Sequence, residues 1–172
     1  MEALGATIAA QLRAGDLVLL NGELGAGKTT LTRGIGAALG VRGSVQSPTF
    51  VLARTHPGPV APLVHVDAYR LGSALELDDL DIDFAASIVV VEWGAGLLDG
   101  RTEDWLSVDI VRPRGAPVGE AAEARSGSES GGPEVPPVRD GLETGDDNDQ
   151  PRTVIITGHG PRWADLGWLP VG

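Results

Sequence analysis

The segment from Gly22 to Thr29 carries residue types suited to binding a polyphosphate. Its sequence, Gly-Glu-Leu-Gly-Ala-Gly-Lys-Thr, fits the pattern G-x-x-x-x-G-K-[ST] without a gap. Glycines leave space for several backbone N–H groups to point at one anion, because side chains would obstruct that approach. Lys28 supplies a cation for the phosphates, and the Thr29 hydroxyl is a hard oxygen ligand for Mg²⁺. The segment therefore predicts a phosphate-binding loop, or P-loop, that holds ATP and Mg²⁺.

The sequence on either side of the loop supports this interpretation. An apolar run from Leu17 to Leu20 precedes the loop, and a helical pattern follows it from Lys28 to Leu39. In a strand–loop–helix unit of this kind, the positive end of the helix points at the phosphates. The nucleotide contacts predicted from the loop and its first helical turn are Glu23, Leu24, Gly25, Ala26, Gly27, Lys28, Thr29 and Thr30.

Two acidic residues follow apolar runs that are predicted to be buried strands. Asp67 follows Leu63–Val66, and Glu92 follows Ile88–Val91. Open α/β sheets bind ligands at the carboxyl ends of their strands, so both carboxylates are placed to act near the metal. Either acid could instead only cap a strand end, but a P-loop in the same chain favours a role in the site. We predict that Asp67 and Glu92 are catalytic.

Thr49 is the third catalytic candidate. It belongs to a Ser-Pro-Thr sequence between the P-loop helix and the next strand. In P-loop hydrolases this interval carries a switch threonine that senses the γ-phosphate and the metal. Taken alone, Ser-Pro-Thr indicates only a turn.

His65 and Arg162 each allow two interpretations. His65 alternates with two valines on a predicted strand, so a hydrogen-bonded structural role is favoured over proton transfer. Arg162 precedes Trp163, and this pair could stack on the adenine ring, since guanidinium and indole both stack on aromatic faces. Packing of a C-terminal turn is the alternative. We include Arg162 among the predicted nucleotide contacts.

The charge of the chain is concentrated in one stretch. The 172 residues suggest one domain, and their net charge is −11. Residues 115–151 contain nine acids and two bases, many Gly, Ser and Pro residues, and almost no large apolar side chain. Such a segment cannot bury enough surface to offset its ordering entropy, so we predict a disordered acidic insertion in a single P-loop domain. The remainder is mildly acidic, and any role with RNA is expected to act through partners.

Several classes of protein are excluded or disfavoured. The chain has no cysteine, which excludes disulfides, thiolate zinc sites and cysteine nucleophiles. No apolar stretch approaches the roughly 20 residues that span a bilayer, and the first residues do not form a secretory signal. We therefore expect a cytoplasmic protein without a membrane segment.

Periodicity and turn residues predict an α/β fold. Leu4, Ile8 and Leu12 indicate a first helix, and the loop-rich His56–Pro62 segment suggests that the strands on either side form an antiparallel pair. We predict a three-layer P-loop NTPase domain with a mostly parallel sheet and one antiparallel hairpin. The predicted strands cover 17–20, 50–54, 63–66, 88–91, 105–111 and 154–157.

Four sequence motifs in order resemble one known family. GELGAGKTTLTRGIG, SPTF, HVDAYRL and VEWG are similar to segments of the TsaE family, formerly YjeE, over residues 4–109 and the last strand. Members of that family are ATPases of the bacterial machinery that makes threonylcarbamoyladenosine in tRNA. The resemblance implies that Lys28, Thr29 and Thr30 belong to the nucleotide site. Asp67 matches the family's H-x-D-x-Y-R segment, and Glu92 and Trp93 match its E-W pair. The resemblance therefore implies that Glu92 binds Mg²⁺ together with Thr29, and that Trp93 belongs to the nucleotide site.

The resemblance also implies partners. These are the TsaB and TsaD proteins, whose complex would stimulate ATP hydrolysis, with tRNA involved only indirectly. Because no water-positioning residue or activating arginine is evident in the sequence, we expect slow intrinsic turnover. A small-molecule or nucleotide kinase is the principal alternative, although few basic residues are available to clamp a second phosphorylated substrate. A GTPase lacks support because no Asn-Lys-x-Asp segment is present, and an adaptor that only senses ATP remains open.

Overall fold

The computed structural model describes residues 1–48, 51–98, 102–112 and 151–169, and within them a six-stranded sheet forms the centre. Its spatial order is β2-β3-β4-β1-β5-β6. The strands are β1 (Leu17–Gly22), β2 (Ala53–His56), β3 (Leu63–Asp67), β4 (Ile88–Glu92), β5 (Trp105–Val111) and β6 (Thr153–His159). The helices are α1 (Glu2–Ala9), α2 (Lys28–Ala38) and α3 (Ala74–Asp78), with 3₁₀ turns at Ala68–Arg70 and Pro161–Trp163.

The four central strands are parallel and the two edge strands are antiparallel. β3, β4, β1 and β5 run in the same direction, whereas β2 pairs antiparallel with β3 and β6 pairs antiparallel with β5. The predicted fold class and the hairpin between β2 and β3 are confirmed. The second antiparallel pair, at the other edge, is an addition to the prediction.

The hydrophobic core has two parts, one on each face of the sheet. α1 and α2 cover one face, where Ile8, Leu31 and Ile35 pack on Val18, Val90 and other sheet residues. The 3₁₀ turn after β3, α3 and Leu98 cover the opposite face over Leu19, Val66 and Val91. Because β4 is buried on both sides, its uninterrupted apolar sequence is typical of an internal parallel strand.

Several predicted element boundaries differ from the structure by one to three residues, and one helix is additional. β2 begins at Ala53 rather than Phe50, because the N–H groups of Val51 and Leu52 bond back to Pro48 in a turn and Leu52 has a φ of 64°. The segment after Ser73 contains the short helix α3, which is not among the predicted elements. Ser73 caps this helix, and Leu77 is buried against the sheet.

Two predictions concern residues outside the described ranges. Most of the acidic insertion predicted at 115–151 lies there, since the structure describes nothing between 112 and 151. Thr49 also lies outside the described residues. In the described parts of the chain, no helix has the length and apolar character needed to cross a membrane.

Close glycine contacts hold α1 against α2. A Cβ added at Gly34 would lie 2.2 Å from the backbone oxygen of Glu2, and one added at Gly5 would lie 2.4 Å from the backbone oxygen of Leu31. Both contacts involve backbone rather than side chains, so only glycine permits this separation of the helices. The packing places the first residues of α1 beside the beginning of α2, which follows the P-loop.

We expect Gly34→Ala to lower the free energy of unfolding by about 1–3 kcal/mol, because the new methyl group would force the two helices apart. A decrease in the free energy of unfolding is informative, because replacing glycine by alanine inside a helix otherwise raises it by about 1 kcal/mol. Urea unfolding followed by circular dichroism measures the change. Gly72→Ala is the control, because the nearest atom there is a flexible Glu76 carboxylate oxygen at 3.2 Å. Equal stability of Gly34→Ala and wild type would contradict the prediction.

Candidate nucleotide site

The P-loop connects the end of β1 to the start of α2 at the carboxyl edge of the parallel strands. Three of its residues, Gly22, Gly25 and Gly27, have φ values of 139°, 75° and 109°. Residues with side chains rarely adopt these values, so glycine is needed for the loop to turn. At Gly22 a Cβ would also lie 2.5 Å from the Ile110 backbone oxygen. The loop thus has the backbone conformation and the position that phosphate binding requires.

Lys28 lies inside the loop with its ammonium group largely buried. Its Nζ donates hydrogen bonds to the backbone oxygens of Gly22, at 2.8 Å, and Glu23, at 3.0 Å. The same atom lies 3.9 Å from the centre of the Trp93 ring, a cation–π contact. Burial lowers the pKa of Lys28, and the negative charges of Glu92 and Asp67 oppose that shift. A partly desolvated cation interacts strongly with an incoming phosphate.

Glu92 joins the P-loop helix to two strands. Its Oε1 accepts a hydrogen bond from the Thr29 hydroxyl at 2.9 Å and lies 2.8 Å from His65 Nε2. Since an ionised carboxylate can only accept, His65 donates through Nε2–H. Glu92 is 5% exposed and His65 is fully buried. His65 therefore acts in the structure as a hydrogen-bonded partner of Glu92, in line with the structural role favoured from sequence.

Thr29 and Glu92 together fit a Mg²⁺ site. Their side-chain oxygens are adjacent at the mouth of the P-loop, and both are hard oxygen ligands. Mg²⁺ is commonly held by one or two protein oxygens together with phosphate and water, so a larger set of acids is not required. The two oxygens are therefore of the kind and in the position that Mg²⁺ could use.

Asp67 lies beside Glu92 on the neighbouring strand. The two residues are register partners of β3 and β4, and Asp67 is buried. Its Oδ1 accepts a hydrogen bond from Tyr69 N at 3.1 Å, which caps the 3₁₀ turn. The carboxylate thus has a local structural function and also contributes negative charge near Lys28.

Trp93 covers the site from the side of β4. It has a φ of 65°, unusual for a residue with a large side chain, and its ring meets Tyr69 edge-on with centroids 5.5 Å apart. With Lys28 beneath it, this ring forms one wall of an open cleft. The cleft is lined by Leu24, Gly25, Gly27, Lys28, Thr29, Thr30, Ser47, Glu92 and Trp93.

Most predicted residues line this cleft. Glu23, Ala26 and Asp67 lie beside it without lining it, and Arg162 lies far from it. The Nη2 atom of Arg162 donates hydrogen bonds to Asp16 Oδ2, at 3.1 Å, and to the Gln11 backbone oxygen. Asp16 precedes β1, whereas the P-loop follows β1, so about 20 Å of strand separates them. The predicted stacking of Arg162 on adenine is therefore wrong, because its ion pair and its own stacking on Trp163 hold it at the opposite edge of the sheet.

Two arginines that sequence reasoning missed lie beside the P-loop. Arg112 follows β5, and its Nη1 lies 3.2 Å from the Cβ position of Gly25. Arg152 precedes β6, and its Nε lies 3.8 Å from the Cβ position of Gly27. Because β5 and β6 are antiparallel, the end of one and the start of the other share an edge. Only the pairing of β5 with β6 brings these two arginines together, because 39 residues separate them in the chain. The sequence alone does not show that pairing.

Glu92→Ala is expected to lower the free energy of unfolding of the nucleotide-free protein by about 1–3 kcal/mol. The change leaves the Thr29 hydroxyl and the buried His65 Nε2–H without their acceptor. Glu92→Gln keeps a side-chain oxygen and is expected to cost less. Urea unfolding of the three proteins provides the measurement, and identical losses for the two variants would show that the hydrogen bonds do not matter.

Comparisons with known proteins show which family this chain resembles. The family model described as "Threonylcarbamoyl adenosine biosynthesis protein TsaE" matches residues 1–116. A tRNA threonylcarbamoyladenosine biosynthesis protein TsaE of Streptomyces coelicolor is 48% identical over 169 residues, which cover 95% of this chain and 94% of that protein. The protein of the same name in Mycobacterium tuberculosis is 50% identical, covering 63% of this chain and 71% of its own length.

A solved structure is similar as well. The crystal structure of YdiB from Bacillus subtilis has a TM-score of 0.53 and 32% sequence identity to this chain. The similarity covers 66% of this chain and 71% of that protein.

Proposed function

This chain belongs to the TsaE family, and on that premise we propose that it is an ATP hydrolase that supports the formation of threonylcarbamoyladenosine in tRNA. The observation that carries the proposal is the contact between Thr29 and Glu92 beside Lys28. One hydroxyl and one carboxylate for a metal, next to a cation for phosphate, are the parts that hydrolysis of a nucleoside triphosphate requires. The cofactors are ATP and Mg²⁺.

Different groups of the chain have different roles in binding and hydrolysing the triphosphate. The P-loop N–H groups and Lys28 bind the phosphates and stabilise the negative charge that develops as the terminal phosphate leaves. Thr29 and Glu92 would hold Mg²⁺, which supplies further positive charge to the phosphate oxygens. Asp67, buried next to Glu92, takes part in orienting the water that attacks. Thr49 is proposed to sense the terminal phosphate from the segment that follows Ser47.

Binding must also rearrange Lys28. Its ammonium donates to the Gly22 and Glu23 backbone oxygens, and a phosphate that approaches would compete for those same protons. The interaction with phosphate is charge-assisted on both sides and is therefore the stronger one. The two hydrogen bonds from Lys28 to the backbone oxygens stabilise the loop conformation until a nucleotide binds.

Partners complete the proposed function. TsaB and TsaD are the proposed partners, and their complex is proposed to accelerate a slow intrinsic hydrolysis. Hydrolysis is proposed to take place in the cytoplasm. The partners, rather than this chain, are proposed to contact tRNA. The net charge of −11 is consistent with an indirect role, since a direct RNA surface needs clustered positive charge.

The proposal is tested by ATP hydrolysis of the purified protein, alone and with the TsaB–TsaD complex. We expect the complex to accelerate the wild type, and Glu92→Ala to reduce kcat by about 100-fold or more in both conditions. Glu103→Ala is the matched control, because Glu103 is exposed and precedes β5 at the opposite edge of the sheet.

The outcomes separate the parts of the proposal. ATP binding without any effect of the complex would retain the nucleotide site and refute the partners. Full activity in Glu92→Ala would refute the role assigned to that carboxylate. Phosphate transfer from ATP to a small acceptor, in place of release to water, would instead favour a kinase.

A further inference from the structure

The two oxygens of the Glu92 carboxylate have different surroundings. Oε1 accepts hydrogen bonds from the Thr29 hydroxyl, at 2.9 Å, and from His65 Nε2–H, at 2.8 Å. Among the described residues, none donates a hydrogen bond to Oε2. Glu92 lines the phosphate cleft, although the residue is almost completely buried. Oε2 is therefore the carboxylate oxygen that remains available to a ligand in that cleft.

One hydrogen bond from Thr29 would not fix the direction of Oε2. The terminal torsion of a glutamate side chain has broad minima, so a carboxylate held by a single donor can still turn. A second donor on the same oxygen restricts that rotation. The Thr29 hydroxyl has two lone pairs besides its proton, so its oxygen can act as a metal ligand while its proton stays on Glu92. The constraint on the carboxylate must therefore come from His65.

The sheet fixes the position of this second donor. His65 is fully buried on β3, which lies between β2 and β4. Its register partner on β4 is Val90, two residues before Glu92, so the side chains of His65 and Glu92 lie on the same face of the sheet. Because strands on both sides hold the backbone of His65, its ring has a defined position relative to the end of β4. His65 does not itself line the phosphate cleft.

We propose that His65 is a positioning residue for the metal site: by holding Oε1 of Glu92, it keeps Oε2 directed at the cleft, where a divalent cation bound with ATP can use it. The inference rests on the proposed function, since it assumes that the P-loop binds ATP together with Mg²⁺. It adds a buried residue that acts on the metal only through Glu92. Loss of a hydrogen-bond partner of a metal ligand typically costs about 10–100-fold in metal affinity or activity.

Two amide side chains that differ by one methylene group test the role of the donor. His65→Gln places an amide N–H near the position of the imidazole Nε2, whereas the shorter side chain of His65→Asn does not reach Glu92. Isothermal titration calorimetry measures Kd for ATP in excess Mg²⁺ and, separately, in excess EDTA. We expect His65→Asn to raise Kd in Mg²⁺ by about tenfold and to leave Kd in EDTA unchanged. His65→Gln should bind ATP as the wild type does in both conditions.

His56→Asn is the matched control. His56 is also a buried histidine, and its register partner Leu63 lies two residues before His65, so both histidines lie on the same face of the sheet. Within the described ranges, His56 makes no hydrogen bond to Glu92. This variant should keep the wild-type Kd in both conditions. If His65→Asn does not fold, as judged by its thermal unfolding, the same titrations are made with His65→Leu, which also lacks the donor.

The pattern of Kd values decides the inference. A loss that is confined to Mg²⁺ in His65→Asn and absent from His65→Gln supports it. Equal Kd values of the folded His65→Asn protein and the wild type in Mg²⁺ overturn it. An equal loss in Mg²⁺ and in EDTA also overturns it, because a purely structural defect does not depend on the metal. A wild-type protein whose ATP affinity is the same in Mg²⁺ and in EDTA would instead refute the metal site of the proposed function.

Discussion

One carboxylate oxygen, Oε1 of Glu92, ties together the elements that build the site. It accepts from Thr29 at the start of α2 and from His65 on β3, and it stands at the end of β4. A buried carboxylate without partners is costly, so its position requires all three elements to be in register. β1 lies beside β4, with Leu20 paired to Glu92, which brings the P-loop to the same place. The order β3-β4-β1 thus brings the hydrogen-bond partners of this carboxylate together.

Lys28, like Glu92, is a buried charged group whose burial is compensated by its neighbours. Lys28 is desolvated, which lowers its pKa, but the negative charges of Glu92 and Asp67 act in the other direction. Two backbone oxygens and the Trp93 ring provide further compensation for the ammonium group. A buried cation stabilised in this way can exchange its backbone partners for a phosphate without first being stripped of bulk water. The electrostatic preorganisation that the proposed hydrolysis requires is therefore present in the nucleotide-free structure.

Sequence reasoning succeeded where the information is local. The P-loop is one uninterrupted segment, and the apolar runs of β1 and β4 indicate buried strands by themselves. It failed where the information lies in strand pairing. The contact between His65 and Glu92 joins residues on two strands, and the approach of Arg152 to Gly27 depends on β6 pairing with β5. Arg162 was assigned to the wrong edge for the same reason, since a residue type shows what it could bind but not where the chain places it.

The glycine packing of α1 links the stability of the fold to the shape of the site. Gly5 and Gly34 allow backbone contact between α1 and α2, and this contact sets where Met1 and Glu2 lie. Met1 Cγ lies 3.3 Å, and Arg152 Nε 3.8 Å, from the Cβ position of Gly27. Gly27 also has a positive φ. A side chain at this position would therefore be strained by the backbone conformation and would also contact Met1 and Arg152. Glycine at this turn of the P-loop is therefore required both by the dihedral angle and by the close approach of residues that precede the first helix and the last strand.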